Sequence, residues 1–91
     1  MSATLLSSWA QTVRTAPNAV ALIDATMDRA WTRADLDALG RAWQAQHGAD
    51  LARRTVVLTE PNGVEWWRVF LGLLHAGAVI APLDAGEPIA A

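Results

Sequence analysis

The chain has 91 residues, a formal net charge of −2 and no cysteine; this admits one small domain and excludes disulfides, thiolate nucleophiles and cysteine-built metal sites. All seven basic residues are arginines, scattered apart from the Arg53–Arg54 pair, so no basic patch recommends a nucleic-acid partner. Apolar residues reach 53% before the six glycines are counted, whereas ordinary domains run at about 45–50% with glycine included. A chain of this size buries only about two-thirds of its unfolded surface. Part of the apolar excess is therefore expected to face a partner or the rest of a larger fold. The N-terminus has neither basic residues nor a continuous apolar stretch, unlike a secretory signal, and no segment approaches the roughly 18 apolar residues that cross a bilayer. The expectation is a soluble, cytoplasmic chain with no membrane partner.

From Ala3 to Ala16, Leu5, Leu6, Trp9, Ala10 and Val13 share one helical face, opposite Ser7, Ser8, Gln11, Arg14 and Thr15, which predicts an amphipathic helix. Its polar face holds one arginine and no basic stripe, so docking onto protein is expected in preference to a membrane surface. Pro17-Asn18 ends it. The apolar run Ala19–Asp24 suits a buried strand, and the turn through Asp28 into Arg29–Trp31 predicts a hairpin. Thr32 and Asp35 have the spacing of a helix cap with its reciprocal carboxylate. In the helix that follows, Leu36, Leu39, Trp43 and His47 line one side, Asp37 and Arg41 pair on the outer side, and Gly48 closes it.

Thr55–Thr59 reads as a strand, and Glu60-Pro61-Asn62-Gly63 as a turn into a third helix, with Asn62 as its cap and Glu65 three residues on. That helix, Val64–Ala76, is apolar almost all round; only Glu65, Arg68, Gly72 and His75 make a narrow polar or small stripe, as in a helix buried on most sides. Gly77 caps it, and Ala78–Pro82 is a closing strand. Strand, helix and strand in this order predict a right-handed crossover with parallel strands. The expected fold is α/β: a partial, open, mainly parallel sheet with one such crossover and an amphipathic N-terminal helix. Three helices over about four short strands cover such a sheet poorly, since its two faces both need covering.

The turn from Thr59 to Val64 joins a parallel strand to a helix N-terminus, where open α/β sheets bind ligands. It lacks the glycine spacing of a phosphate cradle, and Pro61 removes an amide donor, so simple capping is expected. His47 and His75 have no carboxylate at a ligand spacing and read as helix-end histidines. Serine occurs only at Ser2, Ser7 and Ser8, which leaves no nucleophile elbow. Trp9, Trp43 and Trp67 fall on apolar stripes and are expected in the core; the direction of Trp66 is left open. No residue is assigned a catalytic, cofactor-binding or metal-binding role.

Taken together, these elements carry motifs. Pro17 with Ala19-Val-Ala-Leu-Ile-Asp24, then Trp31-Thr-Arg-Ala-Asp-Leu36, then Leu74-His-Ala-Gly-Ala-Val-Ile-Ala-Pro-Leu-Asp84 resemble, in order, the opening strand and the first two core motifs of the adenylate-forming superfamily. That superfamily includes acyl-CoA synthetases, nonribosomal-peptide adenylation domains and luciferases. The last motif is the specific one; the Trp31–Leu36 match departs at Trp31, Arg33 and Asp35, where leucine, tyrosine and glutamate are usual.

The resemblance implies that residues 1–91 are the N-terminal subdomain of an AMP-dependent synthetase or ligase, which activates a carboxylic acid as its acyl-adenylate and then forms a thioester. It implies ATP, Mg²⁺ and CoA or a phosphopantetheine arm for the complete family enzyme, and none of these for this chain. The implied role here is scaffolding, and the chain alone is expected not to catalyse. Its implied partner is the remainder of the synthetase fold; the alternative is a stand-alone interaction module that self-associates or docks through its exposed apolar surface.

Overall fold

The computed structural model of the chain describes residues 2–25, 28–60 and 63–82. Seven elements follow in order: α1 (Ser2–Thr15), β1 (Val20–Asp24), β2 (Arg29–Thr32), α2 (Arg33–His47), β3 (Thr55–Leu58), α3 (Val64–Ala76) and β4 (Val79–Pro82). This is a small mixed α/β fold, and among the described residues no helix is long and apolar enough to cross a membrane.

The strands depart from the single open sheet that the sequence suggests. Among the described residues they form two separate two-stranded sheets. β1 and β2 pair antiparallel, with Leu22 opposite Trp31 and Asp24 opposite Arg29, because the connection at residues 25–28 is long enough only for a hairpin. β3 and β4 pair parallel, Thr55 beside Val79 through Leu58 beside Pro82, because α3 intervenes and carries the chain back to the starting edge. Among the described residues only this second pair has the expected parallel strand–helix–strand order.

The helix ends follow from local chemistry. Thr32 accepts the Asp35 amide through its hydroxyl at 3.0 Å, and Asp35 Oδ2 accepts the Thr32 amide at 3.0 Å, so two orphan donors of the first turn of α2 are satisfied reciprocally. Gly77 takes the left-handed conformation at φ 78°, and its amide reaches back to the carbonyls of Leu73 and Leu74, a geometry that costs a side-chain-bearing residue about 1–2 kcal/mol. Gly48 ends α2 differently: its φ is −82°, and glycine stands there because a Cβ would lie 2.5 Å from the Gln44 carbonyl oxygen and 3.3 Å from Ala76 Cβ. Space, not handedness, selects it. At the start of α3, Gly63 occupies the cap position without a side-chain hydrogen bond; the expected cap, Asn62, lies outside the described residues.

Trp31, Leu36, Leu71 and Leu74 form the centre of the core, with Leu6, Trp9, Leu22, Leu39, Phe70 and Ile80 packed around it. Leu58, Leu73 and Ala78 are buried as well. The most extensive contact in the molecule is between α2 and α3, and two buried glycines, Gly40 and Gly72, set how closely these helices approach. The narrow stripe of α3 is therefore not a solvent stripe along its whole length. Its Gly72 and His75 end lies against α2, while Glu65 and Arg68 at the other end pair with each other at 2.8 Å.

The expected apolar surplus is visible on the strands. Val20 and Ile23 of β1, Val57 of β3 and Val79 of β4 are 57%, 71%, 40% and 51% exposed. Ile23, Val57 and Val79 alternate with the inward Leu22, Leu58 and Ile80, and Val20 precedes a register shift, so much of the outward surface of both sheets is apolar.

Candidate functional site

The densest polar arrangement among the described residues is built on Asp37, in the second turn of α2. Its Oδ1 accepts the indole N–H of Trp9 from α1 at 2.8 Å and pairs with His75 Nε2 from α3 at 2.8 Å. Its Oδ2 accepts Arg41 Nε at 2.7 Å. The Asp37 side chain is only 13% exposed and that of His75 10%. An ionised carboxylate only accepts, so the nitrogen of His75 that faces it carries the proton. Burial raises the affinity of Asp37 for its proton, but the hydrogen bonds from Arg41, His75 and Trp9, with the charge of Arg41, outweigh it and hold the carboxyl below its ordinary value.

This geometry corrects two expectations. Asp37 does not belong to the outer face of α2 with Arg41; Arg41 is exposed, but Asp37 turns inward. His75 is not an ordinary helix-end histidine, since the tertiary fold supplies the carboxylate that no nearby sequence position offers. His47, by contrast, is an exposed last-turn residue with its ring 5.2 Å from that of Trp43. One signal for the Asp37 cluster was present in the sequence: a partly buried tryptophan needs an acceptor for its N–H, and Asp37 borders the apolar stripe that contains Leu36 and Gly40.

A histidine–carboxylate pair is half of a general-base arrangement, yet Asp37 already holds three donors contributed by packing side chains. Nearby hydroxyls point elsewhere: Thr12 donates to the Ser8 carbonyl at 3.0 Å and Thr15 to that of Gln11 at 2.8 Å. Ser7 and Ser8 are exposed on α1. The cluster thus acts as a pin joining three helices.

Near the β3–α3 turn, Leu22, Gly63, Trp66 and Trp67 line an open hollow of about 360 Å³. Gly63 has φ 134°, and nothing lies within 4 Å of a Cβ placed there. The one cation of the first turns of α3, Arg68, is engaged with Glu65 through both Nε and Nη2. The described part of the turn therefore presents aromatic surface, not a cradle of cations. Pro61 and Asn62 lie outside the described residues.

The tryptophans sort differently from expectation. Trp31 is buried, with the Arg29 guanidinium 4.8 Å above its ring. Trp43 and Trp9 are partly buried, as their stripes suggest. Trp67 is not a core residue: it is 36% exposed, edge-on to Phe70 at 5.9 Å. Trp66, whose direction the sequence leaves open, is half-buried and stacks on Phe70 at 4.9 Å with an interplanar angle of 10°. Four residues separate these two rings, one helical turn, which brings them face to face. Beside them, a groove of about 420 Å³ runs between α1 and α3, lined by Leu5, Ser8, Trp9, Thr12, Trp67, Phe70, Leu71 and Leu74.

No protein-family model and no curated protein matches this chain. Among the described residues no three histidine, aspartate, glutamate or cysteine side chains gather as metal ligands would.

Proposed function

We propose that this chain is the N-terminal scaffold of an adenylate-forming ligase that activates a carboxylic acid with ATP, by way of an acyl-adenylate and then a thioester. The observation that carries the reading is how Leu74–Pro82 of the Leu74–Asp84 motif folds; Leu83 and Asp84 lie outside the described residues. Leu74 is buried in the core, Gly77 makes the left-handed turn, Ala78 is buried, and Val79–Pro82 forms the parallel strand. Leu74, Gly77 and Ala78 serve packing and the turn, and His75 ties α3 to Asp37. The apolar outward faces of both sheets add to this, since a larger fold would cover Val20, Ile23, Val57 and Val79. Adenylation requires a bound triphosphate and stabilisation of charge on the transferring group; those tasks are assigned to residues outside this chain, together with ATP, Mg²⁺ and the CoA or phosphopantetheine thiol.

A second reading, a stand-alone interaction module, is favoured by the aromatic groove between α1 and α3 and by the exposure of Leu5 and Trp67 beside it. The intact mass of the native protein, captured from its source cells with an antibody to this segment, separates the two. A species several times heavier than 9.7 kDa, showing acid-dependent exchange of pyrophosphate into ATP, supports the ligase scaffold. A species of 9.7 kDa without that exchange removes it and leaves the interaction module.

A further inference from the structure

The Asp37 pin does not hold its three helices equally. α2 and α3 are locked along a long interface in which a side chain at either central glycine would collide with the facing helix: a Cβ at Gly40 would lie 2.6 Å from Leu71 Cβ. α1 is attached far more sparely. Leu6 and Trp9 touch the core, and among the described residues two polar links cross from α2, namely Trp9 Nε1 to Asp37 Oδ1 at 2.8 Å and Arg33 Nη1 to the Thr12 carbonyl at 3.0 Å. Between α1 and α3 the packing is incomplete, leaving the groove of about 420 Å³, and Leu5 at its edge is 50% exposed.

We propose that α1 is a detachable clasp, latched by the Trp9–Asp37 hydrogen bond, which opens away from the groove while α2 and α3 stay packed. Three independent observations meet in this. The latch is the one of the two charge-assisted links that ties α1 to the Asp37 cluster, of the class that contributes most among hydrogen bonds yet is lost whole when one partner goes. The unfilled groove means that α1 gives up few van der Waals contacts on the α3 side when it leaves. A 14-residue helix is also marginal by itself in water, so an undocked α1 frays, and that entropy favours the open state. Opening uncovers Phe70, Leu71 and Leu74, the apolar floor of the groove. The ionisable groups that meet Asp37 are Arg41 from α2 and His75 from α3, whereas α1 brings only the neutral indole. Loss of the carboxylate charge therefore weakens both the Trp9 link to α1 and the His75 link to α3, but α2 and α3 keep their glycine-to-helix contacts whereas α1 has no comparable interface. The inference does not depend on the ligase reading.

The test is residue-resolved amide hydrogen exchange on the full 91-residue chain, expressed as protection relative to intrinsic rates. Amides of α1 are expected to exchange through openings that leave Leu73 and Leu74 in α3 protected. Trp9→Phe should lower α1 protection by about tenfold; α3 amides, which exchange from the unfolded chain, should fall by a similar factor and stay the better protected. Acidification of the wild type should also open α1 first, and Trp9→Phe should remove that acid sensitivity. If the wild-type α1 and α3 amides exchange through one common opening, the clasp does not exist, whatever the variant does. If α1 protection is unchanged in Trp9→Phe, or falls in acid equally in both proteins, Asp37 is not its latch.

Discussion

The indole of Trp43 occupies the space that a side chain at Gly72 would need: a Cβ there would lie 2.4 Å from Trp43 Cε3 and 2.9 Å from Cδ2. Gly72 sits in the middle of a helix, where alanine is intrinsically better by about 1 kcal/mol. The contact reverses that preference. Gly72→Ala should destabilise the fold by about 1–3 kcal/mol through overpacking, seen as a lower urea midpoint with an unchanged slope. Gly40→Ala should act in the same direction, because its neighbours at 2.6 and 3.1 Å include backbone of α3. Shrinking the opposing group, in Trp43→Leu combined with Gly72→Ala, should recover part of the loss.

Asp37 gives a pH dependence whose sign is fixed by its environment. Burial pushes its carboxyl up, but the donors on it pull further down, so it is more acidic folded than unfolded. Ionised Asp37 therefore stabilises the fold above the unfolded value of about 3.9, and that contribution is lost as pH falls through the lower, folded value. Asp37→Asn should be less stable than the wild type at neutral pH, and the gap should narrow in acid. Urea midpoints measured for both proteins down to about pH 2.5 check this; a gap constant with pH would assign the effect to shape and not to charge.

Thr32 stands where a strand ends and a helix begins, and its hydroxyl is the acceptor for the Asp35 amide. Thr32→Ala should cost about 1 kcal/mol. Thr32→Ser, which keeps the oxygen, should recover most of it. Thermal melts of the two variants provide the comparison.

The exposed apolar strand residues make a different kind of prediction. A dye that fluoresces on apolar surfaces should bind the folded chain through Val20, Ile23 and Val79, where exposure reaches 57%, 71% and 51%. Replacing Ile23 and Val79 together with lysine should reduce dye binding and self-association, and change stability by no more than about 0.5 kcal/mol per site. Dye binding that survives this change and disappears with Trp67→Ser would place the sticky surface at the α1–α3 groove instead.

The sequence by itself determined whatever depends on near neighbours. The 3.6-residue spacing of Leu6, Trp9 and Val13, the Thr32–Asp35 cap and the Gly77 stop all act within one or two turns. They located the three helices and four strands to within a residue or so at each described end. The hairpin and the parallel pair were legible too, because connection length alone dictates strand direction. What the local pattern could not carry was which face of a helix meets which other helix.

Only the tertiary structure turned Asp37 inward, placed it between Trp9 and His75, left Trp67 at the surface and separated the strands into two sheets. The partners of Asp37 are 28 and 38 residues away along the chain. Whether a carboxylate beside an apolar stripe is solvated or buried depends on donors arriving from elsewhere, and on the hydrogen bonds they make outweighing the cost of desolvation. That balance exists only once all three helices are in place.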